Sequence, residues 1–303
     1  MSDDGSFAAT TGRPRYVAAV AAVVWLAAFN VALAHGDRSV VYVAPAVLFG
    51  IAAFGWLVVR LTRGGPVSAA LAVPVADARC TRRLRLQTAW LSAVVALTAW
   101  RGLAFHRVVP AAALWDELAA AIAPIGERWL SPRWVGDTTN ALVNPLVYVV
   151  VPLLGLCLLG ARPRELGFGR GHRVVRVTFA TGALPAIWVA GNASGVQPVF
   201  GALLANTLQN GPCEEFLFRG ALQTRLAARM PTAWAIGLQA LVFGLWHLGA
   251  AAHGDVPWAL AAARTVLYQG TSGILFGIVL WRTRNLWAGS ILHVLANSAA
   301  QFG

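Results

Sequence analysis

The chain has 303 residues, of which 58% are hydrophobic and only 12% charged, with a net charge of +12. So small a charged fraction, with repeated apolar runs of about 18 or more residues, excludes an ordinary soluble domain. The positive charge does not signal nucleic-acid binding either. All 24 basic residues are arginines, mostly in short gaps between apolar runs, and no basic stripe interleaved with aromatics occurs. Cys80, Cys157 and Cys213 lack CxxC spacing, which argues against a disulfide framework or a thiolate zinc site.

In chain order, residues 1–15 are polar and read as a cytoplasmic disordered tail. The first predicted span is Tyr16–Leu33. Its end, Ala32-Leu33-Ala34, resembles a signal-peptidase site, but the many later spans favour an uncleaved anchor. The second span is Val40–Val59. A basic loop follows, opening at Gly64-Gly65-Pro66 and carrying Arg60, Arg63, Arg79, Arg82, Arg83 and Arg85. The third span is Thr88–Phe105, with Arg101 near its far end, where a long side chain can reach the interface. Residues 106–140, with Trp115, Trp129 and Trp134, read as an interfacial amphipathic helix plus loop.

The fourth and fifth spans are Ala141–Leu159 and Val177–Gly191, separated by another basic loop. The sixth is a long helix, Phe200–Ala228, in which Pro212 frees the carbonyl near Leu208 and is expected to kink the chain. The last three are Thr232–Ala251, Leu260–Trp281 and Leu286–Ala300; Gly273 and Gly277 permit close helix approach. The fold expected is therefore all-α, a polytopic transmembrane bundle of about nine spans, or eight if one early run is re-entrant. Placing the N-terminus in the cytoplasm puts 17 arginines on that side and 4 outside, as the positive-inside rule requires. The all-arginine, alanine-rich composition points to a bacterial cytoplasmic membrane, with lipid as a partner.

Polar residues inside the later spans carry the chemistry. Of twelve acidic residues, only Glu214 and Glu215 fall inside an apolar run long enough to cross a bilayer. A charge at that depth costs about 2.5–3.5 kcal/mol on insertion scales. Glu215 and Arg219 stand at i and i+4 and can pair, whereas Glu214 lies about 100° around the helix and stays free. A bland alternative is an ion pair that only fixes helix packing. Only two histidines, His247 and His293, fall deep inside spans, and Asn297 shares a helix face with His293. Each histidine alone would suit an interhelical hydrogen bond. Counted from the cytoplasmic ends of their helices, Glu214, His247, His293 and Asn297 lie about 16, 22, 10 and 16 Å deep. All four fall in the broad middle of a hydrocarbon core about 30 Å thick.

A carboxylate and an imidazole can deprotonate water, and a second imidazole with an amide can hold an oxyanion. The set Glu214, His247 and His293 could instead ligate a divalent metal such as zinc; no cofactor is otherwise indicated. Cys213 reads as a small buried residue rather than a nucleophile.

The three motifs Glu214-Glu215-x-x-x-Arg219, Phe243-x-x-x-His247 and His293-x-x-x-Asn297 resemble those of the CPBP family, the CAAX prenyl proteases and bacteriocin-processing or Abi proteins. Phe218-Arg219-Gly220-x-Leu222-Gln223 fits the first motif as well. The resemblance covers roughly residues 175–300 and divides the chain into the tail, an N-terminal membrane region (16–174) and a catalytic membrane core (175–303). It implies an intramembrane endopeptidase acting on a peptide or membrane protein, in which Glu214 is the general base and His247 its partner. His293 and Asn297 would form the oxyanion hole, and Glu215, Arg219 and Phe243 would support the site. Family members were once called metalloproteases, so the resemblance leaves a metal open. Prenylated substrates fit poorly with an all-arginine, alanine-rich composition typical of high-GC bacteria. Two rivals stand beside it: a non-catalytic scaffold or bacteriocin-immunity protein on the same fold, and a proton- or ion-coupled transporter. The transporter lacks the matched halves such proteins usually show.

Overall fold

A computed structural model describes residues 14–64 and 78–302. Those residues form helices joined by short connections, with no strand among them. The outer wall is built from α1 (Pro14–Ala34), α2 (Val40–Leu61), α3 (Ala78–Phe105) and α8 (Val174–Asn192). A fifth long hydrophobic stretch runs through α6 (Asn140–Pro145), a π-helical turn (Leu146–Val150) and α7 (Val151–Leu158). These five are long and apolar enough to cross a membrane, and only 11–39% of each most apolar window is buried inside the protein. Phe49, Phe179 and Ile187 point outward, 77%, 75% and 67% exposed. Apolar helices that turn large side chains outward need lipid rather than water against them.

The C-terminal helices are shorter or interrupted, so by length and composition five helices among the described residues qualify as spans, short of the nine expected. The expected helix Phe200–Ala228 is in fact two. α9 (Val196–Gln209) stops at Asn210, and a new helix opens with α10 (Gly211–Glu214), Pro212 in its first turn. Proline suits that position because its missing N–H is one the helix start leaves unpaired anyway. The freed Leu208 carbonyl accepts from the buried Cys213 thiol, 3.3 Å away. Beyond Glu214 the chain winds as a nine-residue π-helix (Glu215–Gln223), then α11 (Thr224–Ala227).

α12 (Thr232–Trp246) and the short α13 (Leu248–Ala251) follow. Next comes a run of α14 (Trp258–Thr265), a π turn (Val266–Gly270) and α15 (Thr271–Thr283), and the fold closes with α16 (Leu286–Ala300). α15 packs on α12 through Gly273 and Gly277, as their spacing predicts. A Cβ on Gly273 would lie 3.0 Å from the Ala240 Cα. Gln239 and Gln223 donate to the carbonyls of Gly273 and Gly277 at 2.8 and 3.0 Å. α16 packs against α8, α9 and α10.

Two boundaries differ from expectation. Arg82, Arg83 and Arg85 belong to α3 rather than to a loop, because arginine is a good helix former and the helix runs on past the apolar core. The expected tail lies in residues 1–13, outside the described residues, while Pro14 and Arg15 already belong to α1. The helix break at Gly65-Pro66 also lies outside the described residues, and the interfacial helix is α4 (Ala113–Trp129).

Candidate active site

Glu214 ends α10 and Glu215 begins the π-helix, so the pair sits where the helix changes register. π segments frequently mark functional positions. Glu215 is 1% exposed and its Oε1 lies 3.1 Å from Arg219 Nη1, the i,i+4 pair expected. That contact is an ion pair but not an aligned hydrogen bond, for no Arg219 nitrogen has a hydrogen-bond partner. Aromatic faces make up part of the difference. The guanidinium carbon lies 4.1 Å from the Phe243 ring centre and 5.0 Å from that of Phe276. Phe243 therefore presents its ring face to Arg219.

The Glu215 carboxylate also fixes His293, whose Nδ1 is 2.9 Å from Oε1. A carboxylate only accepts, so Nδ1 carries the proton. The ring stacks on Phe276 with centroids 4.6 Å apart. α16 comes this close because Gly289 lacks a side chain: a Cβ there would lie 2.9 Å from Glu215 Oε2. His247, at the end of α12, is held in the same fashion, its Nδ1 donating to the Phe243 carbonyl at 2.8 Å.

Both imidazoles then turn Nε2 toward one atom. Glu214 Oε2 is 3.7 Å from His247 Nε2 and 3.6 Å from His293 Nε2. It is buried and has no hydrogen-bond partner. In these tautomers all three atoms are acceptors. A group placed among them must donate, and a water molecule is the smallest that donates twice. Among the described residues no three His, Cys, Asp or Glu side chains form a metal-holding group.

Glu214, His247, His293 and Asn297 line a single cavity of about 730 Å³. The four residues singled out from the sequence therefore meet. The opposite wall escaped sequence reasoning. Arg101 does not reach for the interface but turns inward, donating to Asn144 Oδ1 and the Tyr148 hydroxyl, each at 2.9 Å, and to Asn140 Oδ1. All four residues line the same cavity. The available signal was the spacing Asn140, Asn144, Tyr148, which puts three polar groups on one helix face opposite a charged residue in a span.

Residues 196–299 match the family model described as Rce1-like, type II CAAX prenyl endopeptidase. Neither a curated protein nor a solved structure matches the chain. The matched range spans every motif position, from Glu214 to Asn297, and leaves out the Arg101 wall. The matched family is one of proteases, and the apolar helices agree with a membrane setting. Across its last third, this chain carries an Rce1-like domain, in agreement with the family its three motifs resemble.

Proposed function

We propose that the protein is an intramembrane endopeptidase that hydrolyses a peptide bond by direct attack of water. The observation that supports this most is Glu214 Oε2, a buried carboxylate oxygen without a partner, flanked by two imidazole nitrogens in a cavity of peptide-sized volume. A water seated there gives one hydrogen bond to Glu214 and one to His247. As its oxygen attacks the scissile carbonyl carbon, one proton passes to Glu214, with His247 orienting and sharing it. The carbonyl π pair moves to oxygen, which Asn297 and His293 stabilise. His293 can donate from Nε2 only as an imidazolium, since Nδ1–H is committed to Glu215. Glu214 then returns the proton to the leaving nitrogen, the C–N bond breaks, and an amine and a carboxylic acid form; the acid gives water's second proton to His247 and departs as the carboxylate.

Three acceptors around a bound water suffice for this route. A divalent metal held by Glu214, His247 and His293 is the other arrangement of the same lone pairs, and retained activity in chelator after metal stripping speaks for the water-only form. The N-terminus is proposed to lie in the bacterial cytoplasm, which labelling of a Ser2→Cys variant from either side of the membrane checks.

The deciding experiment digests a synthetic peptide library with protein reconstituted in lipid and identifies new N-termini by mass spectrometry. Glu214→Ala and His247→Ala should each lower turnover by about 10²–10⁴-fold while the purified proteins keep their wild-type unfolding temperature. Full activity in either variant overturns the mechanism. A cellular phenotype rescued by Glu214→Ala would favour the scaffold or immunity reading instead.

A further inference from the structure

Arg101 is a cation within the fold for which the hydrolytic steps have no use. It stands on α3, outside the Rce1-like range, half-buried on the cavity wall. Among the described residues no carboxylate lies within ion-pair distance of it, while Arg219, Arg225 and Arg264 all have one. Its three side-chain acceptors are neutral: two amide oxygens and a phenol.

Those acceptors are themselves fixed. Asn144 Nδ2 donates to the Gln209 carbonyl at 2.8 Å. Asn140 donates to Asp137 twice, from its backbone N–H at 2.8 Å and from Nδ2 at 2.7 Å. Each amide therefore presents its oxygen, and only its oxygen, to the guanidinium. Asp137 also lines the cavity, but its two oxygens are engaged by Asn140. The result is a guanidinium locked in place by neutral groups, with no carboxylate in direct contact; Asp137 reaches it only through Asn140. The three bonds use Nη1 and Nη2 and leave Nε–H out, and Nε is not among the buried unpaired nitrogens of the described residues. A clamp that merely tied α3 to α6 would need no charge, and a charge in a span without a direct counter-ion is costly. A planar guanidinium fork with donors to spare is the shape that receives a carboxylate.

We propose that Arg101 anchors a carboxylate of the substrate, fixing how far along the peptide Glu214 reaches. The carboxylate comes either from a free C-terminus or from an acidic side chain. The inference rests on the proteolytic reading only in taking a peptide as the ligand.

The test is a binding measurement, so it does not depend on turnover. An apolar nonapeptide with a neutral N-terminal coumarin is made as the free acid, as the amide, and as the amide with one internal glutamate. Fluorescence anisotropy follows binding to the Glu214→Gln protein in lipid nanodiscs. At least one anionic form should bind about tenfold or more tightly than the neutral amide, and the better one identifies the source. Adding Arg101→Met, or Arg101→Gln if the former folds poorly, should erase that preference, and Arg101→Lys should keep part of it. A purely structural role would weaken all three peptides alike. Equal binding, no binding, or a preference that survives loss of the guanidinium overturns the anchor. Absent turnover in the native protein would instead sink the protease reading and leave the binding ratio standing.

Discussion

Arg219 is wholly buried and holds the two glutamates in order, since it is the charge against which Glu215 is set. Removing one member of a buried pair strands the other, at a cost of about 3–5 kcal/mol. Arg219→Met should therefore lower the unfolding temperature in detergent sharply, and the loss should largely disappear when Glu215→Gln is combined with it. Arg219→Lys should rescue little, because a compact ammonium does not lie flat between Phe243 and Phe276 as the guanidinium does. Asn297→Ala should act differently, reducing kcat by about 10²–10³ with little change in KM if it donates only to the developing oxyanion. These residues were legible in the sequence because a charge or imidazole inside an apolar run needs a reason. What the sequence withheld was the division of His293 between two carboxylates, since one nitrogen faces Glu215 and the other Glu214. That depends on the rotation of α16, which no spacing rule fixes.

At the scale of the helices, close approach sets the site. Gly289→Ala should raise the intrinsic helix propensity of α16, yet its methyl would press on the Glu215 carboxylate. The expected outcome is a protein of near-native helicity with turnover reduced by tenfold or more, about 1.4 kcal/mol at the transition state. Gly273→Ala meets backbone rather than a movable side chain, so it should cost stability, about 1–3 kcal/mol. Circular dichroism and thermal unfolding separate the two effects. Helix existence was readable from hydropathy, and α1, α2 and α8 begin and end within a few residues of their expected bounds. The break at Asn210 was not. A run of apolar residues looks alike whether one helix or two cross it, and Pro212 signals a kink and a fresh start equally well.

Across the molecule, an outer set of lipid-facing helices surrounds shorter ones that carry the chemistry. Composition alone identified the membrane bundle but not which apolar segments cross it: apolar content inside a protein interior and against lipid is the same to a hydropathy window. Loop residues between the elements contribute less. Asp37 is an exception, tying the α1–α2 connection to Arg264 at 2.8 Å. Its carboxyl is held below the ordinary range, first by the Ser39 hydroxyl and then by Arg264 against the opposing effect of burial. A depressed carboxyl contributes stability above its unfolded pKa and loses it as pH falls through the folded value. Acidification below about pH 4 should thus loosen this corner in the native protein and leave Asp37→Asn unaffected, as hydrogen exchange at α1 and α14 would report.

The nine-residue π-helix carries a further consequence for how this segment tolerates change in length. Its hydrogen bonds close five residues along rather than four, so it behaves as a stretch holding surplus chain. Removing one residue between Gly220 and Gln223 would let it tighten into ordinary α-winding. Everything downstream would then rephase, and Arg225 would swing off Gln87 and Glu165, which it now grips at 2.8 and 3.5 Å. Insertions and deletions that surface loops absorb freely should be lethal in this short window.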